Sequence, residues 1–288
     1  EQIFKKAQRQ VRWHYQWIIL HEFLPLTIGQ ERVDDILKKG LRFYEVGNTK
    51  NPLIPIEFSV SAYRFGHSQI RPSYRLNFGP TVTPATPFFA FLFDDTQDPN
   101  DPDPIDLRGG KRAPRRFVDW QTFFNFGDGN FRPNKKIDGK LSSVVMLLPG
   151  SRGPAPGLPA DGVQSLASRN LMRHVNFGIP SGQAIARRMN LPALTPAQLE
   201  ALTPFGMEKS TPLWFYILKE AEIMENGLRL GPVGGRIVGE VFIGLLKADD
   251  TSYLAAQPNW TPVLPSATPG DFRITDLLTF AGVIPPLN

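Results

Sequence analysis

Proline and glycine punctuate this chain heavily, with 28 prolines and 25 glycines among 288 residues, gathered in clusters rather than spread evenly. A proline breaks a helical ladder and cannot sit in a central strand, so regular elements are confined to the stretches between clusters. Those stretches carry apolar residues at helical spacing, and strand-like alternation is scarce. Phe4, Ala7, Val11, Tyr15, Ile18 and Ile19 mark a helix over Phe4–Leu24 that Pro25 and Gly29 are expected to end. Further helices are expected at Val33–Gly40, from Ile56 to about Ile70, and at Phe117–Phe126, Val163–Phe177 and Ser181–Met189. Four more follow, at Pro196–Leu202, Pro212–Asn226, Gly234–Lys247 and Ile274–Ala281. Arg71–Phe78 alternates loosely and is expected to form a short strand. No repeat with a period of roughly 20 to 50 residues is visible, which excludes a solenoid. The class is mainly α.

Composition narrows the functional classes. Hydrophobic residues at 41% and charged residues at 20% belong to an ordinary globular chain. No run reaches the roughly 18 consecutive apolar residues a membrane-spanning helix needs. The opening EQIFKKAQRQV has no apolar core of a secretory signal. The absence of cysteine excludes disulfides, thiolate metal sites and cysteine nucleophiles. The net charge of +5 is dispersed. Its densest clusters, Lys111–Arg112 with Arg115–Arg116 and Lys135–Lys136, lie in loop-like sequence and read as solvated surface, not a nucleic-acid patch. The acidic stretch Asp94–Asp106 lacks the ligand spacing of a calcium loop and reads as solvated too, and SRGPAPGLPADG at 151–162 reads as a linker-like stretch.

Four histidines remain as strong metal ligands: His14, His21, His67 and His174. His14 and His21 are two helical turns apart, about 10 Å along the axis, too far to share one ion. Both are expected to be packed or surface residues. No zinc-protease, P-loop, nucleophile-elbow or dinucleotide fingerprint is present. The glycines of GPVGGRIVGE at 231–240 open a helix without a preceding strand, so a phosphate cradle is not expected. His67 stands apart. In EFSVSAYRFGHSQIRPSYRLN, small and apolar residues surround one imidazole near a helix end, and Gly66 leaves room for a flat group to approach the backbone. Arg64 lies three residues earlier on the same face. An imidazole that can bind iron beside a guanidinium that can pair with a propionate suits haem, and a structural histidine is the competing reading of the same residues.

AYRFGHSQIRPSYRLN resembles the proximal haem-ligand helix of the animal-type haem peroxidase superfamily, which includes myeloperoxidase, peroxinectin and bacterial relatives. RQVRWHYQWIILHEFLPLTIG resembles the long helix before the proximal region, and SRNLMRHVNFGIPSGQAIARRMNLP resembles the family's N-x-x-R-x-x-x-x-G-[LI]-P segment. RLGPVGGRIVGEVFIGLL and FRITDLLTFAGV resemble its carboxyl-terminal helix and the terminus of bacterial-type members. The segments follow one another in family order across nearly the whole chain.

The resemblance implies a helical haem-peroxidase domain with long irregular loops and few short strands. It assigns His67 as the axial iron ligand and Asn170 as the amide that hydrogen-bonds the ligand's other ring nitrogen. Arg64 and Arg173 become the propionate partners. The implied cofactor is haem b, free or covalently modified, and the implied reaction is reduction of hydrogen peroxide with oxidation of an organic donor or halide. The family's distal histidine motif and distal arginine have no counterpart here, so residues 1–288 are expected to be the proximal, carboxyl-terminal portion of the domain. A second chain or a cleaved amino-terminal segment is then expected to complete the pocket, and the family's calcium site would lie in that missing part. The alternatives are a non-catalytic haem-binding or structural protein of the same fold, or a fatty-acid dioxygenase-like enzyme. The latter's tyrosine segment is not matched by HYQW at 14–17. The resemblance favours a secreted or extracellular protein, with no nucleic-acid partner.

Overall fold

The computed structural model describes residues 1–78, 117–146, 148 and 163–284. The acidic stretch Asp94–Asp106, the basic cluster of Lys111–Arg116 and segment 151–162 lie outside the described residues. Helix dominates, in order α1 (Gln2–Ile18), α2 (Leu24–Ile28) and α3 (Gln30–Lys39), then α4 (Leu166–Asn176), α5 (Gly182–Arg188) and α6 (Leu213–Met224), and finally α7 (Pro232–Ala248), α8 (Tyr253–Ala256) and α9 (Ile274–Phe280). Two-residue strands, β1 (Gly47–Asn48) and β2 (Asn51–Pro52), pair antiparallel with Gly47 opposite Pro52. The mainly helical class with few short strands is what the resemblance implies. No described helix is long and apolar enough to cross a membrane.

The chain divides into two compact units. The first holds Glu1–Gln69, Lys136–Lys140 and Asn170–Asp276; the second holds Ile70–Lys135, Leu141–Arg169 and Leu277–Asn288. In the first unit the opening helix does not stop at Pro25. Ile19–Phe23 form a π-helical turn in which the Leu24 N–H donates to the Ile19 carbonyl, and α2 continues from it. A residue without an N–H fits the ladder in the first turn after such a widening. The stop falls at Gly29, whose φ of +91° suits glycine alone.

The core of this unit gathers around α7, whose Val233, Val238, Val241 and Ile243 are buried against α6 residues Trp214, Ile217 and Leu218. Glycines on α7 allow the approach. A methyl group on Gly234 would lie 2.7 Å from the Ile217 side chain, and one on Gly239 would lie 2.6 Å from the ends of Ile28 and Ile36. Glu240 on α7 folds back the connection that follows α3, its Oε2 accepting the backbone N–H groups of Arg42, Phe43 and Tyr44 at 3.1, 2.8 and 3.0 Å.

Two expectations fail in the second unit. Arg71–Phe78 forms no strand; it is held by single contacts, with the Asp119 N–H donating to the Leu76 carbonyl at 2.9 Å and the Phe78 N–H to Asp119 Oδ2 at 2.7 Å. Phe117–Phe126 coils only over Trp120–Thr122. Its aromatic residues are spent on side contacts, such as the Phe123 ring stacked on Tyr74, instead of one helical stripe.

Candidate functional site

His67 lies on a tight helix, not on the α-helix its spacing predicts. Glu57–Ser61 form a π turn started by the Pro55 carbonyl, and Ala62–Gln69 continue as a 3₁₀ helix. With three residues per turn, side chains three apart are eclipsed. Ala62, Phe65 and Ser68 form the buried row at 0, 7 and 0% exposure. Arg64 and His67 therefore form a row of their own, one above the other, both half-buried. The helix is fastened to α6 through the Trp214 indole N–H, which donates to the Arg64 carbonyl at 3.2 Å. A methyl group placed on Gly66 would meet nothing within 4 Å, so the face beside the imidazole is open.

From α4, Asn170 reaches this row. Its side chain is buried at 1% exposure, and Nδ2 lies 2.8 Å from His67 Nδ1. With Nδ2 in that place the imidazole proton must sit on Nε2. The carboxamide has the same shape when turned by half a revolution, which puts Oδ1 against Nδ1. In that setting Asn170 accepts the Nδ1–H proton and Nε2 presents a bare lone pair. A free Nε2 lone pair requires the turned setting; the amide's other polar atom has no hydrogen-bond partner among the described residues in the orientation drawn.

Arg173, one turn beyond Asn170, is also half-buried. Burial, and next the nearby Arg64 guanidinium, hold the His67 imidazole below its ordinary value, with Arg173 acting the same way and the Asn170 bond opposing them. Burial and then Arg173 likewise lower Arg64. Two cations thus converge beside a neutral imidazole. Arg64 Nε is buried without a hydrogen-bond partner, and neither guanidinium makes an ion pair among the described residues. A paired anion would offset the cost of that arrangement.

The amide at Nδ1, the guanidinium Nε without a hydrogen-bond partner among the described residues and the open face over Gly66 fit a haem: a nitrogen for iron and two cations for carboxylates. The other histidines go elsewhere. His14, fully buried, donates from Nδ1 to the Gln10 carbonyl at 2.7 Å and accepts the Val263 and Leu264 N–H groups on Nε2. His21 bonds Tyr253, and His174 Nδ1 accepts the Leu213 N–H at 3.5 Å. No cluster of three or more metal-ligating side chains occurs among the described residues.

One buried group escaped sequence reasoning. Glu220, fully buried in α6, caps the start of α7, accepting the Val233 N–H at 3.0 Å and the Gly234 N–H at 3.2 Å. The helix start in GPVGGRIVGE is therefore filled by the protein's own carboxylate. Its position two residues after the apolar run LWFYIL was its only trace in the sequence.

The family model for animal haem peroxidases matches residues 1–99, which include His67 and Arg64. A chorion peroxidase of Aedes aegypti is 23% identical over 299 aligned residues, covering 99% of this chain and 33% of the relative. A chorion peroxidase of Drosophila melanogaster is 34% identical over 80 residues, covering 26% of this chain and 10% of that protein. The chain spans about a third, or less, of the length of these curated relatives. The matched stretch carries the imidazole and Arg64, and the chain is similar to animal haem peroxidases over residues 1–99 and to the Aedes aegypti chorion peroxidase along nearly its whole length.

Proposed function

We propose that this chain forms the proximal wall of a haem-dependent peroxidase. The observation that carries the reading is the pairing of half-buried His67 with buried Asn170 at 2.8 Å, flanked by two arginines with no acidic partner among the described residues. Haem b held there supplies the iron at which hydrogen peroxide is reduced while an organic donor or a halide is oxidised.

The chain's own residues do the rest. Burial and the two guanidinium charges keep the imidazole neutral, which a nitrogen ligand requires. Asn170 takes the Nδ1 proton, fixing the tautomer and the ring plane. Because its acceptor is a neutral amide, the imidazole gains less anionic character than a carboxylate would give it, and the iron's potential stays higher. Arg64 and Arg173 would hold the propionates by charge-assisted bonds. The residues that act on peroxide come, in this reading, from a second chain or from an amino-terminal segment of a longer protein. The chorion peroxidase relatives support placing the assembly outside the cell.

Haem titration of the purified protein tests the proposal. A Soret band that is lost in His67→Ala and weakened in Arg64→Ala and Arg173→Ala supports it, as does peroxide-dependent dye oxidation by the assembled protein. A band unchanged in His67→Ala overturns the assignment.

A further inference from the structure

An aromatic cluster within the first unit takes no part in the haem reading. Trp17 of α1 stacks on His21, with centroids 3.7 Å apart and planes at 19°. The hydroxyl of Tyr253, which is 1% exposed, lies 3.2 Å from His21 Nε2. Trp17 and Tyr253 are 5.7 Å apart, and Trp260 lies 5.4 Å from Tyr253 and 6.0 Å from Trp17. Trp17 also donates its indole N–H to Asp271 Oδ1 at 3.0 Å. The two rings most easily oxidised, one tyrosine and one tryptophan, therefore each hold a proton acceptor.

That arrangement has a redox consequence. A buried phenol cannot keep a positive charge after losing an electron, because an unpaired charge in an apolar site is too costly. It can lose the electron only if its proton leaves at the same time. Burial keeps the His21 imidazole neutral and the Tyr253 phenol protonated, and with the imidazole proton on Nδ1 the bare Nε2 accepts the phenolic O–H. The Arg9 guanidinium, 5.4 Å over Trp13, opposes positive charge on that ring, whereas Asp271 favours it on Trp17. The electron vacancy is steered to Trp17 and Tyr253, and both Trp17 and Trp260 are half-buried, not sealed.

We propose that Tyr253 and His21, with the half-buried Trp17 stacked on the imidazole, form a proton-coupled electron-transfer site for small one-electron donors. A strong one-electron oxidant takes an electron from Tyr253, and the phenolic O–H bond breaks as its proton forms an N–H bond at His21 Nε2. The products are a neutral tyrosyl radical and an imidazolium. A phenolic or aromatic amine donor at the Trp17–Trp260 face then returns one electron through Trp17, and the proton goes back to the phenolate oxygen as the radical is filled. The oxidant in the native assembly is peroxide-oxidised haem, and in this respect alone the proposal rests on the peroxidase reading.

Photogenerated tris(bipyridine)ruthenium(III) oxidises the full chain without haem and separates the two ideas. Electron paramagnetic resonance is expected to show a tyrosyl signal that narrows when the tyrosine rings are deuterated. The signal is expected to vanish in Tyr253→Phe, which keeps the ring packing. In His21→Gln it is expected to form about a hundredfold more slowly, the lower range of what a positioned proton acceptor contributes. Formation in the wild type is expected to slow in D2O, an effect a purely structural pair would not produce. A signal of unchanged size in Tyr253→Phe, or no isotope effect in the wild type, overturns the pair. Haem-loaded assembly treated with peroxide is expected to give the same signal. Silence there with a positive ruthenium arm overturns haem as the oxidant and leaves the pair standing.

Discussion

Under the proposed function, which ring nitrogen of His67 carries the proton decides whether iron can be bound, and Asn170 is the group in contact with Nδ1. Replacing Asn170 by alanine is expected to weaken haem binding by about 10- to 100-fold, the usual cost of losing such a support, as read from haem dissociation rates. Asn170→Asp is expected to lower the iron reduction potential in a spectroelectrochemical titration, because a carboxylate draws the Nδ1 proton further and loads the imidazole with charge. The depressed imidazole value has its own sign: the ring stays neutral as pH falls past the ordinary 6.5, so protons compete with iron only at lower pH. Haem retention is therefore expected to persist to lower pH than an ordinary imidazole would allow, and to fail at higher pH in variants that remove Arg64 or Arg173. His67 and Arg64 were legible because glycine, imidazole and guanidinium stand within four residues. The His21–Tyr253 contact was not, since 232 residues separate partners that carry no shared motif.

Elements show where periodicity misleads. Spacings of three and four agree with an α-helix over Ile56–Ile70, yet the buried residues Ala62, Phe65 and Ser68 recur strictly every third position, which only the 3₁₀ form allows. Pro25 misled in the opposite way, because a π turn upstream absorbs it. The α6–α7 pair carries a pH dependence. Burial raises the Glu220 carboxyl to about 7, from an ordinary 4.5, against the opposing bonds from Gly234 and Val233. The folded state therefore holds a proton that the unfolded state has released between those values, and stability must fall as pH rises from 4.5 through 7. The loss is on the order of 3 kcal/mol. Chemical denaturation at pH 5 and pH 8 is expected to show it, and Glu220→Gln, which keeps a carbonyl acceptor without a charge, is expected to flatten the difference. Packing is as strict at the start of α5, where a methyl group on Gly182 would run into the Tyr216 side chain. Gly182→Ala is expected to cost about 1–3 kcal/mol, the usual penalty of overpacking, seen as a lowered thermal midpoint.

The whole molecule joins segments far apart in sequence. Six residues of helix α1 and its π turn are tied to residues 251–274: Trp13 to the Thr251 carbonyl, Gln16 to the Tyr253 N–H, and His14 to the N–H groups of Val263 and Leu264. Trp17 adds Asp271, the His21 carbonyl takes the Arg273 guanidinium, and Glu22 takes the Ile274 N–H. The helical class was readable from proline spacing, but this closure was not, because all of its bonds but Trp17–Asp271 use a backbone group that no side-chain pattern announces. Under the proposed function, native mass measurement of the assembled peroxidase is expected to find more polypeptide than the 32.2 kDa of this chain. The tie between first and last helices also sets an order of events during synthesis. The ribosome releases the aromatic side of residues 13–22 some 230 residues before its partners exist. That helix must wait, chaperoned or loosely collapsed, until residues 251–274 emerge, so its docking is gated by synthesis of that later segment and not by the speed at which individual helices coil.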